Sequence, residues 1–162
     1  MRFLLVLPLA LLLLAGCAKS DREMMNGVWS IQEMKANGEL VYAAEKGSQD
    51  KIVDRIVSEQ MASLPPEAQG QAQMMKDMMY KQLAVVSKTT LEVKEDGKFV
   101  ATRYDGDTPI ETKGTLTIDE KKKEFSMKGE KEEKFKYEIK DGELKLTSNE
   151  NGKLELTFKP KK

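Results

Sequence analysis

From Thr89 to Lys159 the chain is punctuated by Asp96-Gly97, Asp105-Gly106, Gly129, Asp141-Gly142 and Asn151-Gly152. Such pairs supply the positive φ angles that tight turns need, and here they recur about every ten residues, the spacing of an antiparallel meander. Between turns, apolar residues alternate with polar ones: Phe135, Tyr137 and Ile139 are interleaved with Lys136, Glu138 and Lys140, and Leu144 and Leu146 with Lys145 and Thr147. A period of two means one buried face and one wet face, which excludes a doubly covered parallel sheet. Seven strands are expected here: Leu91–Val93, Phe99–Tyr104, Ile110–Ile118, Glu124–Lys128, Phe135–Ile139, Leu144–Leu146 and Leu154–Phe158. Gly114, inside the third, reads as a bulge. Upstream, Val28–Met34 alternates in part, Asn37-Gly38 offers a hairpin turn, and Glu39–Ala43 reads as a return strand. Eight or nine strands favour closure, because closure removes exposed edges.

The alternation stops between about residues 48 and 87. Ile52, Val53, Ile56, Val57, Gln60, Met61 and Leu64 form a stripe at helical spacing, which Pro65-Pro66 ends. A second stripe, Ala72, Met75, Met79, Leu83 and Val86, follows, widened by Met74, Met78 and Val85. Neither stripe buries itself alone, so a helical hairpin packed on an apolar partner is expected. Ile52, Ile56, Met75, Met79 and Leu83 are expected to face that partner rather than water. The fold class is mainly β with a helical insertion (α+β): an antiparallel up-and-down β-barrel of about eight strands, with a two-helix hairpin between the first and later strands.

The N-terminus has a different character. Met1-Arg2 starts positive, and Phe3 to Leu14 is an apolar run too short to span a bilayer as a helix. It ends at Leu14-Ala15-Gly16-Cys17, which holds the chain's single cysteine. These four residues resemble the lipobox of bacterial lipoproteins. That resemblance implies cleavage between Gly16 and Cys17, and a diacylglyceryl group on the Cys17 sulfur. Residues 1–16 are then a signal peptide, 17–23 a lipidated cysteine and tether, and 24–162 the folded domain with its helical insertion at 48–87. Acyl chains at about 0.8 kcal/mol per buried CH2 give stable anchoring. Ala18, where an Asp would favour inner-membrane retention, points to the outer membrane of a two-membrane envelope.

Composition removes several chemistries. There is no histidine, which excludes His-based general acid–base catalysis, Ser-His triads and His metal sites. One cysteine excludes thiolate zinc sites. A formal net charge of zero offers no basic excess for nucleic acid. No nucleophile elbow, phosphate loop or paired-carboxylate motif is present, so no catalytic residue and no cofactor is assigned, and a non-enzymatic role is expected. Met74, Met75, Met78 and Met79 are soft potential Cu(I) ligands, but helix methionines are more often core filler. Asp105-Gly106-Asp107 lacks the further carboxylates of a Ca2+ loop and reads as a turn. Lys121-Lys122-Lys123 and Lys159-Pro160-Lys161-Lys162 are candidate contacts for anionic headgroups, or solvated strand ends.

Gly27-Val28-Trp29, at the start of the first strand, resembles the Gly-x-Trp of lipocalins and lipocalin-like bacterial domains. The closing run Ile139–Thr147, with Asn151-Gly152 and Phe158-Lys159, is similar to the last hairpins of small lipocalin-like lipoproteins. The resemblance covers about the outer two-thirds of the mature chain. It implies a lipocalin-like barrel in which Trp29 plugs a closed end or lines a cavity. The expected function is an envelope lipoprotein, held to its membrane through Cys17, that takes a small apolar ligand in or at the barrel mouth. Trp29, Met75, Met79 and Leu83 are the candidate ligand-binding residues, the methionines as an adaptable lid. The rival readings are a structural or protein-interaction lipoprotein with a filled barrel and, after it, a Met-rich Cu(I) binder. An internal void of about 300 Å3 or more, lined by strand residues, separates the first reading from the second.

Overall fold

The structure is a computed structural model that describes residues 19–63, 65, 70–148 and 153–161. The segment read as a lipobox, with Gly16 and Cys17, lies outside the described residues, as do Leu64, Pro66, Asn151-Gly152 and Lys162. The elements run α1 (Asp21–Met25), β1 (Gly27–Ala36), β2 (Glu39–Ala43), α2 (Lys46–Ala62), α3 (Ala72–Val86), β3 (Thr90–Val93), β4 (Lys98–Asp105), β5 (Thr108–Asp119), β6 (Glu124–Lys128), β7 (Glu132–Lys140), β8 (Glu143–Ser148) and β9 (Leu154–Pro160). The seven strands expected after residue 89 are all present, as are the two before the helices.

Every strand pairs with its sequence neighbour in antiparallel register from β3 to β9, and β1 closes the ring against β9. Tight turns set this order. Asn37 and Gly38 have φ of 53° and 87°, and Asp141 and Gly142 have 53° and 77°. Positive φ at both central residues is the type I′ pattern, whose twist matches that of the strands it joins.

β1 is the seam. One edge carries β9 from Trp29 to Ala36. The other is divided: β3 pairs with Gly27–Ser30, and β2 with Glu33–Ala36. Eight strands therefore close, and β2 is a ninth, laid along the far half of β1. β1 serves three partners by breaking register twice, between Ile31 and Glu33 toward β9 and between Met34 and Lys35 toward β2. At the first break the side-chain amide of Gln32 donates to the Ile31 carbonyl at 3.1 Å. Trp29 and Ile31 are buried before it, and Met34, rather than Glu33, packs against the core after it.

Gly114 corrects one expectation. It pairs with Phe99 in continuous register and is no bulge. A β carbon there would lie 2.1 Å from the Lys128 carbonyl oxygen and 2.9 Å from Phe99 Cε1. Glycine is needed for close approach of β5 to β6, not for a kink.

The helices fill a gap in the wall. β3 is only four residues long, and α2 and α3 pack on each other, on β2 and on β4, beside the stretch that β3 leaves uncovered. Ile52, Val53, Val57 and Leu83 are buried, and Met61, Ala72, Met75, Met79 and Val86 pack against the core cluster. Ile56 is half-buried. Polar clips fix the arrangement: Lys76 with Asp54 at 2.6 Å, Tyr80 hydroxyl to Asp50 at 2.8 Å, and Arg55 to the Leu40 carbonyl at 3.0 Å.

The domain boundary set at residue 23 falls inside α1. This helix opens with a capping box: Glu23 N–H donates to the Ser20 hydroxyl at 3.2 Å, and Ser20 N–H to the Glu23 carboxylate at 2.9 Å. Met25 is fully buried, and its carbonyl accepts the Trp29 indole N–H at 2.6 Å. Asp21 is gripped by the Lys123 ammonium and accepts from the Tyr137 hydroxyl at 2.5 Å. Arg22 donates to the Glu95 carbonyl at 3.3 Å. The helix thus packs at one barrel end, against the β3–β4 and β5–β6 turns and against β7 through Tyr137. Above it the core is aromatic-rich, built from Trp29, Phe99, Phe125, Phe135, Tyr137, Leu144 and Phe158, with Phe125 and Phe135 edge to face at 6.3 Å.

Candidate functional site

The opposite end of the barrel is built differently. On β4 and β5 the cross-strand partners in the alternation that buries Phe99 are Phe99 with Gly114, then Ala101 with Thr112, then Arg103 with Ile110, exposure rising along the series. On β6 and β7 they are Phe125 with Phe135, then Met127 with Glu133. Moving away from α1, aromatic pairs give way to small and polar ones. The rings that fill the lower barrel have no counterparts here.

The result is a cavity of about 540 Å3. Phe99 and Ala101 form its inner part, with Thr112, Ile110 and Met127 along the walls and Arg103 and Glu133 at the exposed rim. It also opens sideways. β5 pairs with β6 only from Thr115 to Asp119, so residues 108–114 pair with β4 alone and leave a gap beside the Gly129–Lys131 turn. Gly129 sits close to β5: a β carbon there would lie 3.2 Å from Thr112 Cγ2. An apolar floor with three cations (Arg103, Lys113, Lys131) and three anions (Glu111, Glu130, Glu133) around it suits an amphipathic guest whose polar end stays near water.

The candidate ligand residues from sequence lie elsewhere in the core. Trp29 is 3% exposed, at the α1 end, with its indole N–H satisfied by Met25, so it plugs that end. Met75, Met79 and Leu83 face inward from α3. None of the four is among the residues lining this cavity. Met74 and Met78, one turn apart, are 58% and 55% exposed, so the four methionines point in two directions instead of converging on one ion. Asp105-Gly106-Asp107 forms the β4–β5 turn, and Asp107 pairs with Lys88 at 3.0 Å, while that ammonium also lies over the Tyr104 ring at 5.4 Å. Among the described residues, no group of three or more acidic or thiol side chains is placed to hold a metal ion, and no helix is long and apolar enough to cross a membrane.

The mouth residues were missed because alternation reports only which face a residue takes. The void depends on which small residues stand opposite one another across strands, and that is a matter of register.

Comparison with known proteins follows this geometry. Residues 87–155, from the end of α3 into β9, match the family model of the NlpE N-terminal domain. A crystal structure of a DUF4847 family protein from Bacteroides vulgatus is similar over 86% of this chain and 95% of its own, with a TM-score of 0.52 and 15% identity. At that identity the likeness concerns the fold. No curated protein sequence matches the chain.

Proposed function

We propose that the chain is a non-enzymatic lipoprotein of the bacterial cell envelope that binds a small apolar or amphipathic ligand at the mouth of a lipocalin-like barrel. The open cleft of about 540 Å3 between β4, β5 and the β6–β7 turn carries this reading, since its volume lies within the range of about 300–1,000 Å3 usual for ligand sites and most of its wall is made of strand residues. Anchoring rests on Leu14-Ala15-Gly16-Cys17 after the apolar run, with Ala18 favouring the outer membrane. The NlpE family, whose N-terminal domain model matches residues 87–155, is an envelope lipoprotein family, which supports the same assignment.

Uptake of an apolar fluorescent probe by the purified full chain tests it. Met127→Trp should fill the void and abolish uptake, while Met78→Ala, on the exposed helix surface, should leave it intact. A wild-type chain that takes up no probe, and with which nothing co-purifies in native mass spectrometry, would sink the reading. The filled-barrel reading, a structural or protein-interaction lipoprotein, would then gain, and the cluster of buried rings between α1 and Phe99 is the observation that favours it.

A further inference from the structure

The far ends of β4 and β5 lean on no neighbouring strand. β3 pairs with β4 only as far as Thr102, and β6 pairs with β5 only from Thr115 onward. Among the described residues, the backbone from Arg103 to Gly114 therefore bonds only within its own hairpin, which turns at Gly106-Asp107. The root of this ribbon is fixed in the ring, and its tip is not. A two-stranded ribbon without strand neighbours is a segment of low local stability, the kind from which moving parts are drawn. One side chain ties the tip on its β4 edge. Lys88, two residues before β3, pairs with Asp107 at 3.0 Å and lies over the Tyr104 ring at 5.4 Å. The β5 edge faces the gap and has no such tie. Across that gap two charges are unmatched. Arg103, in the alternation that buries Phe99, and Glu133, in the alternation that buries Phe135, both line the cleft, and neither forms an ion pair among the described residues. Glu111 and Lys113, also on the ribbon, pair with each other at 2.7 Å. Glu130 and Lys131 stand side by side on the β6–β7 turn and offset each other.

We propose that the Arg103–Gly114 ribbon is a flap over the ligand cleft with two alternative charge latches: Lys88 with Asp107 holds it open, and Arg103 with Glu133 holds it across the gap over a bound guest. The proposal rests on the ligand-binding reading above and adds how that site is gated. A swing toward β7 draws Asp107 away from Lys88 as it carries Arg103 toward Glu133, so the two latches exclude each other. The same swing lays Ile110, the cross-strand partner of Arg103, over the apolar floor. Exposed ion pairs are weak, so each latch biases the flap by a few-fold without locking it, which suits a site that must both admit and release its guest.

Dipolar spin resonance on the full chain tests this without any ligand. Nitroxides at Thr108→Cys and Glu132→Cys, on the two banks of the gap, are introduced in a chain carrying Cys17→Ser, so that they are its only thiol sites. Lys88→Ala should raise the ratio of short to long distances by about threefold, and Glu133→Gln should lower it by about the same factor. Stopped-flow release of Nile red, an uncharged probe, then reads the consequence. Glu133→Gln should speed release about threefold, and Lys88→Ala should slow it. Arg103→Glu with Glu133→Arg should return release to the wild-type rate, which mere loss of a lining contact would not do. A distance that no substitution shifts overturns the flap, whether or not Nile red binds. A distance that answers to Lys88→Ala but not to Glu133→Gln, with no rescue by the charge swap, overturns the second latch. A distance that follows both latches in a chain that takes up no Nile red keeps the moving ribbon and overturns its ligand-holding role together with the reading above.

Discussion

At the scale of single residues, three positions carry disproportionate weight. Trp29 is enclosed and hydrogen-bonded, so Trp29→Ala should lower stability by about 3–5 kcal/mol in urea titration; a loss below about 1 kcal/mol would mean that the plug matters little. Gly114→Ala forces a methyl into the Lys128 backbone and the Phe99 ring, and should cost about 1–3 kcal/mol although it adds one carbon at a half-buried site. Asp21 gives the molecule an acid limb. The hydrogen bond from Lys123, then that from Tyr137, hold its carboxyl below the ordinary 3.8, while burial first, and then the Asp21 carboxylate, push the Tyr137 phenol up and keep it protonated. For an acid whose pKa is lower folded than unfolded, the stabilisation is whole above the unfolded value and drains away as pH falls through the folded one. Stability should therefore be flat with respect to this group near neutrality and fall below about pH 4. Asp21→Asn should remove that share of the fall and cost about 1–3 kcal/mol at pH 7; a variant with an unchanged acid limb would mean that other carboxylates set it.

Among elements, legibility followed the length of the repeating pattern. β3 to β9 were readable because each strand contributes several alternations and a turn pair fixes its end. The helical insertion was readable because two stripes at a 3.6-residue period interrupt that alternation. α1 was not, since five residues are barely more than one turn and no periodicity builds up. Its signature was nonetheless present, because Ser20-Asp21-Arg22-Glu23 has the Ser-x-x-Glu form of a capping box directly before apolar residues. Ser20→Ala removes the acceptor for Glu23 N–H, and should cost about 1 kcal/mol and weaken the clamp on Tyr137. Coincident loss of the Trp29 emission shift and of overall stability would confirm that cap and plug act together. The Gly114 bulge was misread because a strand glycine serves either a kink or a close approach, and only the position of β6 decides between them. The mouth was illegible for a related reason: Ala101 and Thr112 are unremarkable in sequence and open a void only when placed opposite each other.

For the whole molecule, the outstanding question is whether the helical insertion is a wall or a lid. A lid would be a separable unit whose opening leaves the barrel closed by its strands. A wall segment would be part of the ring, because β1 offers β3 only half of its edge and β2 takes the rest. The packing favours the wall. Val53, Val57 and Leu83 belong to the same contiguous core as Trp29, Phe99 and Phe158, and Lys88, just after α3, is tied to Asp107 on the β4–β5 turn. Helical ellipticity and Trp29 fluorescence should then be lost in one coincident transition, since a small domain with a shared core unfolds as a unit. Leu83→Ala should shift both signals equally, by about 2–5 kcal/mol. If ellipticity is lost first while Trp29 stays enclosed, the insertion detaches from a barrel that stands without it. Met75 and Met79 would then return as candidate ligand contacts on a moving lid. With coincident curves, access to the ligand runs through the gap between β5 and the β6–β7 turn, where Arg103 and Glu133 already face solvent.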